Sequence, residues 1–149
     1  MSAMPQLHHI DHFTLRVHPR ELAPLRDFYA TVLGLHEGWR PAFDFPGHWL
    51  YAADRPVVHL AGNAPAGEGA ADAALPTGKF NHVSFRSTGL AAMREHLRAL
   101  GVTWREAPVP GAPLHQIFLH DPAGLKVELT FDQAEFEAAG VADGIERDY

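Results

Sequence analysis

An α+β fold made of two βαβββ modules is what this 149-residue sequence predicts, on three observations. Ile10-Asp11-His12-Phe13-Thr14-Leu15-Arg16 returns 70 residues later as Phe80-Asn81-His82-Val83-Ser84-Phe85-Arg86, with the same order of apolar, Asp or Asn, His, apolar, hydroxyl, apolar and Arg. Val58-His59-Leu60-Ala61 returns 69 residues later as Val127-Glu128-Leu129-Thr130. The segments between these landmarks also correspond, so the repeat is a structural unit and not two similar strands.

In the first half, residues 10–17 alternate with a period of two and predict a strand. Residues 21–33 place Leu22, Leu25, Phe28, Tyr29, Val32 and Leu33 at helical spacing, and Gly34 suits the left-handed residue that ends a helix. Short strands follow near 37–40, 48–52 and 57–61. In the second half, 80–86 is a strand. Residues 89–100 are a helix with Leu90, Met93, Leu97 and Leu100 on one face, Ser87 or Thr88 as its cap and Gly101 as its end. Strands near 102–106, 114–120 and 125–131 complete it, the last two joined by the turn Asp121-Pro122-Ala123-Gly124. Module one is thus 7–62 and module two 80–131. The Ala-, Gly- and Pro-rich stretch 63–79 reads as a linker, and 132–149 as an acidic tail without a function.

The composition narrows the chemistry. With no Cys, disulfides, thiolate nucleophiles, Cys-ligated zinc and iron–sulfur clusters are excluded. A formal charge of −6 argues against a generally basic surface for nucleic acid. No apolar run approaches the ~18 residues of a membrane span, and Met1 to His9 has no signal-peptide pattern. The expectation is a soluble, cytoplasmic protein without nucleic-acid or membrane partners. Eleven His are the unusual count.

Strand alternation sorts these histidines by face. Phe13, Leu15 and Val17, Val83 and Phe85, and Leu125, Val127, Leu129 and Phe131 should pack on the helices. His12, Thr14 and Arg16, then His82, Ser84 and Arg86, then Lys126, Glu128 and Thr130 take the opposite faces. A solvated sheet face has no special need of His12, His82 and Glu128 at mid-strand. Imidazole nitrogen and carboxylate oxygen suit divalent zinc, nickel, iron and manganese, and two His with one carboxylate leave coordination positions open.

With these residues in place, the sequence resembles the vicinal oxygen chelate superfamily, which includes glyoxalase I, methylmalonyl-CoA epimerase, extradiol ring-cleaving dioxygenases, fosfomycin-resistance enzymes and bleomycin-binding proteins. The resemblance covers roughly residues 7–131. It is carried by His8-His9-Ile10-Asp11-His12-Phe13-Thr14-Leu15-Arg16-Val17, Leu25-Arg26-Asp27-Phe28-Tyr29-Ala30-Thr31-Val32-Leu33-Gly34-Leu35, Asn81-His82-Val83-Ser84-Phe85 and Asp121-Pro122-Ala123-Gly124-Leu125-Lys126-Val127-Glu128-Leu129. It implies curved mixed sheets with helices on their outer faces, forming a metal-containing cup. It also implies one divalent ion per site (Fe, Zn, Ni or Mn) on His12, His82 and Glu128, a small-molecule substrate and a homodimer. His59 falls where glyoxalase- and epimerase-type members place a further ligand, there typically Glu or Gln.

The resemblance therefore implies glyoxalase- or epimerase-like chemistry, an isomerase or lyase reaction on a substrate chelated through adjacent oxygens, its enolate stabilised by the metal. An extradiol dioxygenase using non-haem iron(II) is the alternative, and it turns on whether His59 binds. Against it, Phe118 stands where ring-cleaving members carry a Tyr. A metal-free binding or resistance protein is the alternative of another class. His48 and His115, near the starts of the third strands of the two modules, are the proton-transfer candidates. Trp49, Tyr51, Phe45 and Arg40 are the expected substrate pocket, Arg40 as a partner for a substrate carboxylate or phosphate.

Overall fold

Two four-stranded mixed sheets with the same strand order carry the chain, each with helices packed on one face. A computed structural model describes residues 4–64 and 80–142. Most of the expected linker and the end of the acidic tail lie outside the described residues. The chain divides into two units, Met1–Ala71 and Asp72–Tyr149.

In the first unit, β1 (Phe13–Arg16), β2 (His36–Gly38), β3 (Gly47–Ala52) and β4 (Arg55–Ala61) form a sheet in the order β1-β4-β3-β2. β1 runs parallel to β4, and the other pairs are antiparallel. β1 is shorter than the period-two pattern suggests, because residues 10–12 precede its first ladder pair. The expected single helix has three parts. A 3₁₀ turn at Pro19–Glu21 leads into α1 (Leu22–Asp27), and the coil then widens to a π-turn over Phe28–Val32, where the Leu33 amide donates to the Phe28 carbonyl. This path keeps Leu22, Leu25, Phe28, Tyr29 and Val32 buried, and Leu50, Val58 and Leu60 are their buried counterparts on the sheet. Gly34 takes the left-handed conformation that stops the helix.

In the second unit, β5 (His82–Arg86), β6 (Arg105–Pro108), β7 (Leu114–His120) and β8 (Lys126–Asp132) repeat the arrangement as β5-β8-β7-β6. The Asp121 turn forms as expected: its carbonyl accepts from Gly124, and its carboxylate accepts from the amides of Ala123 and Leu125. Leu125, Val127, Leu129 and Phe131 are buried against the helices.

One expectation needs correction here. α2 (Leu90–Ala99) is not capped by Ser87 or Thr88: Gly89 precedes it in the left-handed region, and its exposed amides are met from another element. α3 (Gln133–Ala139) follows β8 directly and begins the acidic tail. Glu135 of α3 accepts from the amides of Gly89 and Leu90, at 2.7 and 3.1 Å, and so supplies the cap. The buried stripe of α2 also differs. Leu90 and Leu97 are buried as expected, but Arg94 is buried with them while Leu100 is exposed.

Candidate functional site

In module one the polar face of the sheet is built around β4. His59 lies opposite Thr14 of β1 and Trp49 of β3, so all three project from the face opposite the one on which Leu50, Val58 and Leu60 meet the helix. His12, two residues before Thr14, joins them. Three rings stack in a column. His12 lies on His59 at 3.8 Å between centroids, and His59 lies on Trp49 at 3.9 Å, nearly parallel in both cases. Trp39 meets Trp49 edge-on at 6.2 Å, and Phe43 stacks on Phe45 at 5.1 Å.

Hydrogen bonds fix which nitrogens are free. The His12 Nδ1–H donates to the Asp11 carboxylate at 2.7 Å, leaving Nε2 with the lone pair. The His59 Nε2–H donates to the Pro56 carbonyl at 3.0 Å, so its lone pair sits on Nδ1. A register shift between Leu50 and Tyr51 places Pro56, not Val57, opposite Tyr51. Burial, followed by the neighbouring His12, holds His59 below the usual imidazole value and therefore neutral at pH 7. The His12 hydrogen bond holds the exposed Asp11 below the ordinary carboxylate range.

In module two, Glu128 occupies the matching position on β8, opposite Ser84 of β5 and Phe118 of β7. Its residue is only 7% exposed, and its charge is met by neighbours. Gln116 Nε2 donates to Glu128 Oε2 at 2.9 Å and to Thr130 Oγ1 at 3.0 Å. His82 Nε2 stands 3.5 Å from Glu128 Oε1, and the His82 Nδ1–H donates to Asn81 Oδ1 at 2.8 Å. Asn81 thus does for His82 what Asp11 does for His12. That pairing was visible in the repeat as the Asp or Asn before each His. Gln116 was readable too, because alternation puts it on the face of Glu128.

The expected proton-transfer pair lies elsewhere. His48 pairs with Leu60 and so belongs to the helix-packed face, where its Nδ1 meets the Glu37 carboxylate. His115 pairs with Phe131 and is 3% exposed. Its Nε2 meets Glu106 at 2.9 Å, its ring stacks on Phe136 of α3 at 4.1 Å, and its Nδ1 is buried without a partner. The two are not repeat equivalents either: ladder register matches His48 with Ile117, and His115 with Pro46, whose carbonyl accepts from Gly62.

The expected pocket residues share the face of Trp49. Tyr51 lies across Gly38, and its hydroxyl donates to the Trp39 carbonyl at 2.6 Å, which pins that stretch of chain. Arg40 lies over the rings of Phe43 and Phe45 at 4.9 and 5.2 Å and donates through Nη2 to the Phe45 carbonyl at 2.8 Å. Each module therefore presents a pair of metal-suited side chains. Among the described residues, no group of three or more His, Asp or Glu is placed to hold one ion. No helix among them is long and apolar enough to cross a membrane.

Comparison with known proteins matches residues 9–129 to the model of the Glyoxalase/Bleomycin resistance protein/Dioxygenase superfamily. A curated relative, Glyoxylase I 4 of Arabidopsis thaliana, is 30% identical over 106 residues, which is 69% of this chain and 60% of the relative. Among solved structures, a protein of Bacillus anthracis assigned to the glyoxalase family superposes with a TM-score of 0.69 at 16% identity, covering 87% of this chain and 99% of that one. A variant of the fosfomycin resistance protein FosX of Listeria monocytogenes, crystallised with manganese(II) and a dihydroxypropylphosphonic acid, gives 0.62 at 17% identity, covering 89% and 98%. An antibiotic-binding protein of Streptomyces sp. CB03234 gives 0.63 at 17% identity, covering 87% and 99%.

Proposed function

Since the chain belongs to the Glyoxalase/Bleomycin resistance protein/Dioxygenase superfamily, we propose that it is a divalent-metal enzyme of isomerase or lyase type, with His12, His82 and Glu128 as metal ligands and His59 as a fourth. One observation carries this reading: the two modules present the same anchored donor. His12 and His82 each donate Nδ1–H to the preceding side chain, and each keeps Nε2 for a ligand. That is the usual support of a metal-bound imidazole. His59 and Glu128 complete the two pairs from matching register.

The donor set fits the ion. Neutral imidazoles and an ionised carboxylate are the forms that ligate, and His59 is held neutral at its lone-pair atom Nδ1. Gln116 orients the Glu128 carboxylate through Oε2. A bound divalent ion supplies Lewis-acid polarisation of adjacent substrate oxygens. The ring wall of Trp49 and Phe45, with Arg40 and Tyr51 beside it, holds the substrate body and excludes water from it. His48 and His115 take no part, because their strands turn them to the other face. The active species is a homodimer, with a light-scattering mass of twice the 16.4 kDa chain.

Elemental analysis of the purified protein tests the metal. One divalent ion per chain is expected, with loss from His82→Ala and Glu128→Gln. Absence of a stoichiometric ion after reconstitution with manganese(II), zinc(II), nickel(II) or iron(II) overturns the reading. The metal-free binding protein is the second reading, and the His12–His59–Trp49 ring column is the observation that favours it. Under that reading, aromatic binding is indifferent to chelators. A ring-cleaving dioxygenase finds less support, because the side chain opposite Glu128 on β7 is Phe118, which has no hydroxyl to offer a phenolate.

A further inference from the structure

Arg40 is a cation held in place without an anion. Arg26, Arg86 and Arg94 pair with Asp27, Asp132 and Glu106. Among the described residues, Arg40 has no carboxylate partner. Among the described residues its side-chain hydrogen bond runs from Nη2 to the Phe45 carbonyl, and the remaining N–H groups of the guanidinium can donate elsewhere. The guanidinium is nevertheless fixed. It rests on the rings of Phe43 and Phe45 and crosses Gly47, where an added Cβ would come within 3.0 Å of its Nη2. Cation–π contact and that carbonyl bond settle the fork before a ligand arrives, so little side-chain freedom remains to be lost on binding.

The surroundings are aromatic and open. Trp39 is 73% exposed and Phe43 45% exposed, and both contact the ring of Trp49. A contiguous exposed apolar patch is a mark of interaction sites, ligand-binding grooves among them. The spacing is informative as well. Gly47, under Arg40, and Trp49, beside His59, are two residues apart on one face of β3, which is about 7 Å at the strand rise. One aromatic ring with a substituent spans that distance.

We infer that module one binds a planar aromatic molecule bearing an anionic group, its ring against Trp49 and Phe43 and its anion on the N–H donors of Arg40 that the Phe45 carbonyl leaves open, with the opposite end of the ring directed to the His12–His59 pair. This names a substrate class for the proposed enzyme and rests on that reading for the reaction. Binding itself needs no metal, so the test is run on chelator-treated protein. Its failure is then separate from a failure of metal stoichiometry.

The full-length protein is titrated calorimetrically with 2-naphthoate, with neutral 2-naphthamide, and with cyclohexanecarboxylate, which has charge but no aromatic ring. Naphthoate is expected to bind at least about tenfold more tightly than either, the difference a charge-assisted fork makes. Arg40→Gln should bring naphthoate down to the level of naphthamide and leave naphthamide unchanged. Arg40→Lys, which keeps the charge without the fork, should retain only part of the preference. An unchanged thermal midpoint shows that each variant is folded. Equal binding of acid and amide, an acid preference surviving in Arg40→Gln, or no saturable binding of naphthoate each overturns the inference.

Discussion

His59 and Glu128 stand at the same point of two sheets. Each faces a hydroxyl residue on its parallel neighbour, Thr14 or Ser84, and an aromatic residue on its antiparallel neighbour, Trp49 or Phe118. The two positions differ in what holds them. Glu128 is oriented by Gln116, whereas His59 is tied through Nε2 to its own strand and sandwiched between two rings. If His59 ligates, it does so through Nδ1. His59→Ala should then weaken manganese(II) or zinc(II) binding by at least about tenfold, since a lost ligand costs no less than a lost supporting contact, whereas His59→Glu, which supplies a carboxylate ligand, should bind at least as tightly as the parent. Isothermal titration reads both. Equal affinity of His59→Ala and the parent would remove His59 from the ligand set.

The repeat was enough to find that pair, since Val58-His59-Leu60 aligns with Val127-Glu128-Leu129. A strand turns alternate side chains to opposite faces, so the positions of His12, His59, His82 and Glu128 could be sorted once the strands were located. His48 and His115 were paired instead by their nearness to strand starts, which are ragged, whereas equivalence follows the ladder. Register on β4 and β8 sets His48 against Leu60 and His115 against Phe131, both on the helix-packed face. The cap of α2 was illegible for a different reason. Its acceptor, Glu135, lies 46 residues along the chain from Gly89, beyond the reach of a local capping rule. Arg94 escaped because hydropathy assigns an arginine to solvent, while its burial depends on Glu106 and His115 arriving from two other strands.

That buried cluster predicts an acid limit to stability. Burial works against ionisation of Glu106, but hydrogen bonds from Arg94, Trp104 and His115 outweigh it and hold its carboxyl below the usual 4.5. A depressed carboxylate contributes stability above its unfolded value and loses it as pH falls through the folded one, because the unfolded chain takes up protons first. Urea midpoints should therefore drop as pH is lowered below about 4.5. Glu106→Gln should flatten that dependence and cost about 3–5 kcal/mol at neutral pH, since Arg94 remains buried with its charge uncompensated. The double variant Arg94→Met with Glu106→Leu should recover most of the loss. An unchanged acid limb in Glu106→Gln would show that the cluster does not govern it.

Glu135 ties α3 to the opening of α2. Its Oε1 accepts from Gly89 and Leu90, the first free amides of that helix, and its charge sits at the positive end of the helix dipole. Phe136, the next residue, covers His115, and the Gly140 carbonyl at the far end of α3 accepts from Arg94 at 2.8 Å. α3 thus meets module two at several points, of which Glu135 provides the cap. Glu135→Ala should lower stability by about 1 kcal/mol, the typical worth of an N-cap, and Glu135→Gln by less, because the amide oxygen still accepts. Thr88→Ala and Ser87→Ala, at the positions that local rules favour, should each cost less than Glu135→Ala. Urea denaturation of the four variants decides the matter. If Thr88→Ala or Ser87→Ala is the more costly, the cap is local after all and α3 contributes through its other contacts, those of Gln133, Phe136 and Gly140.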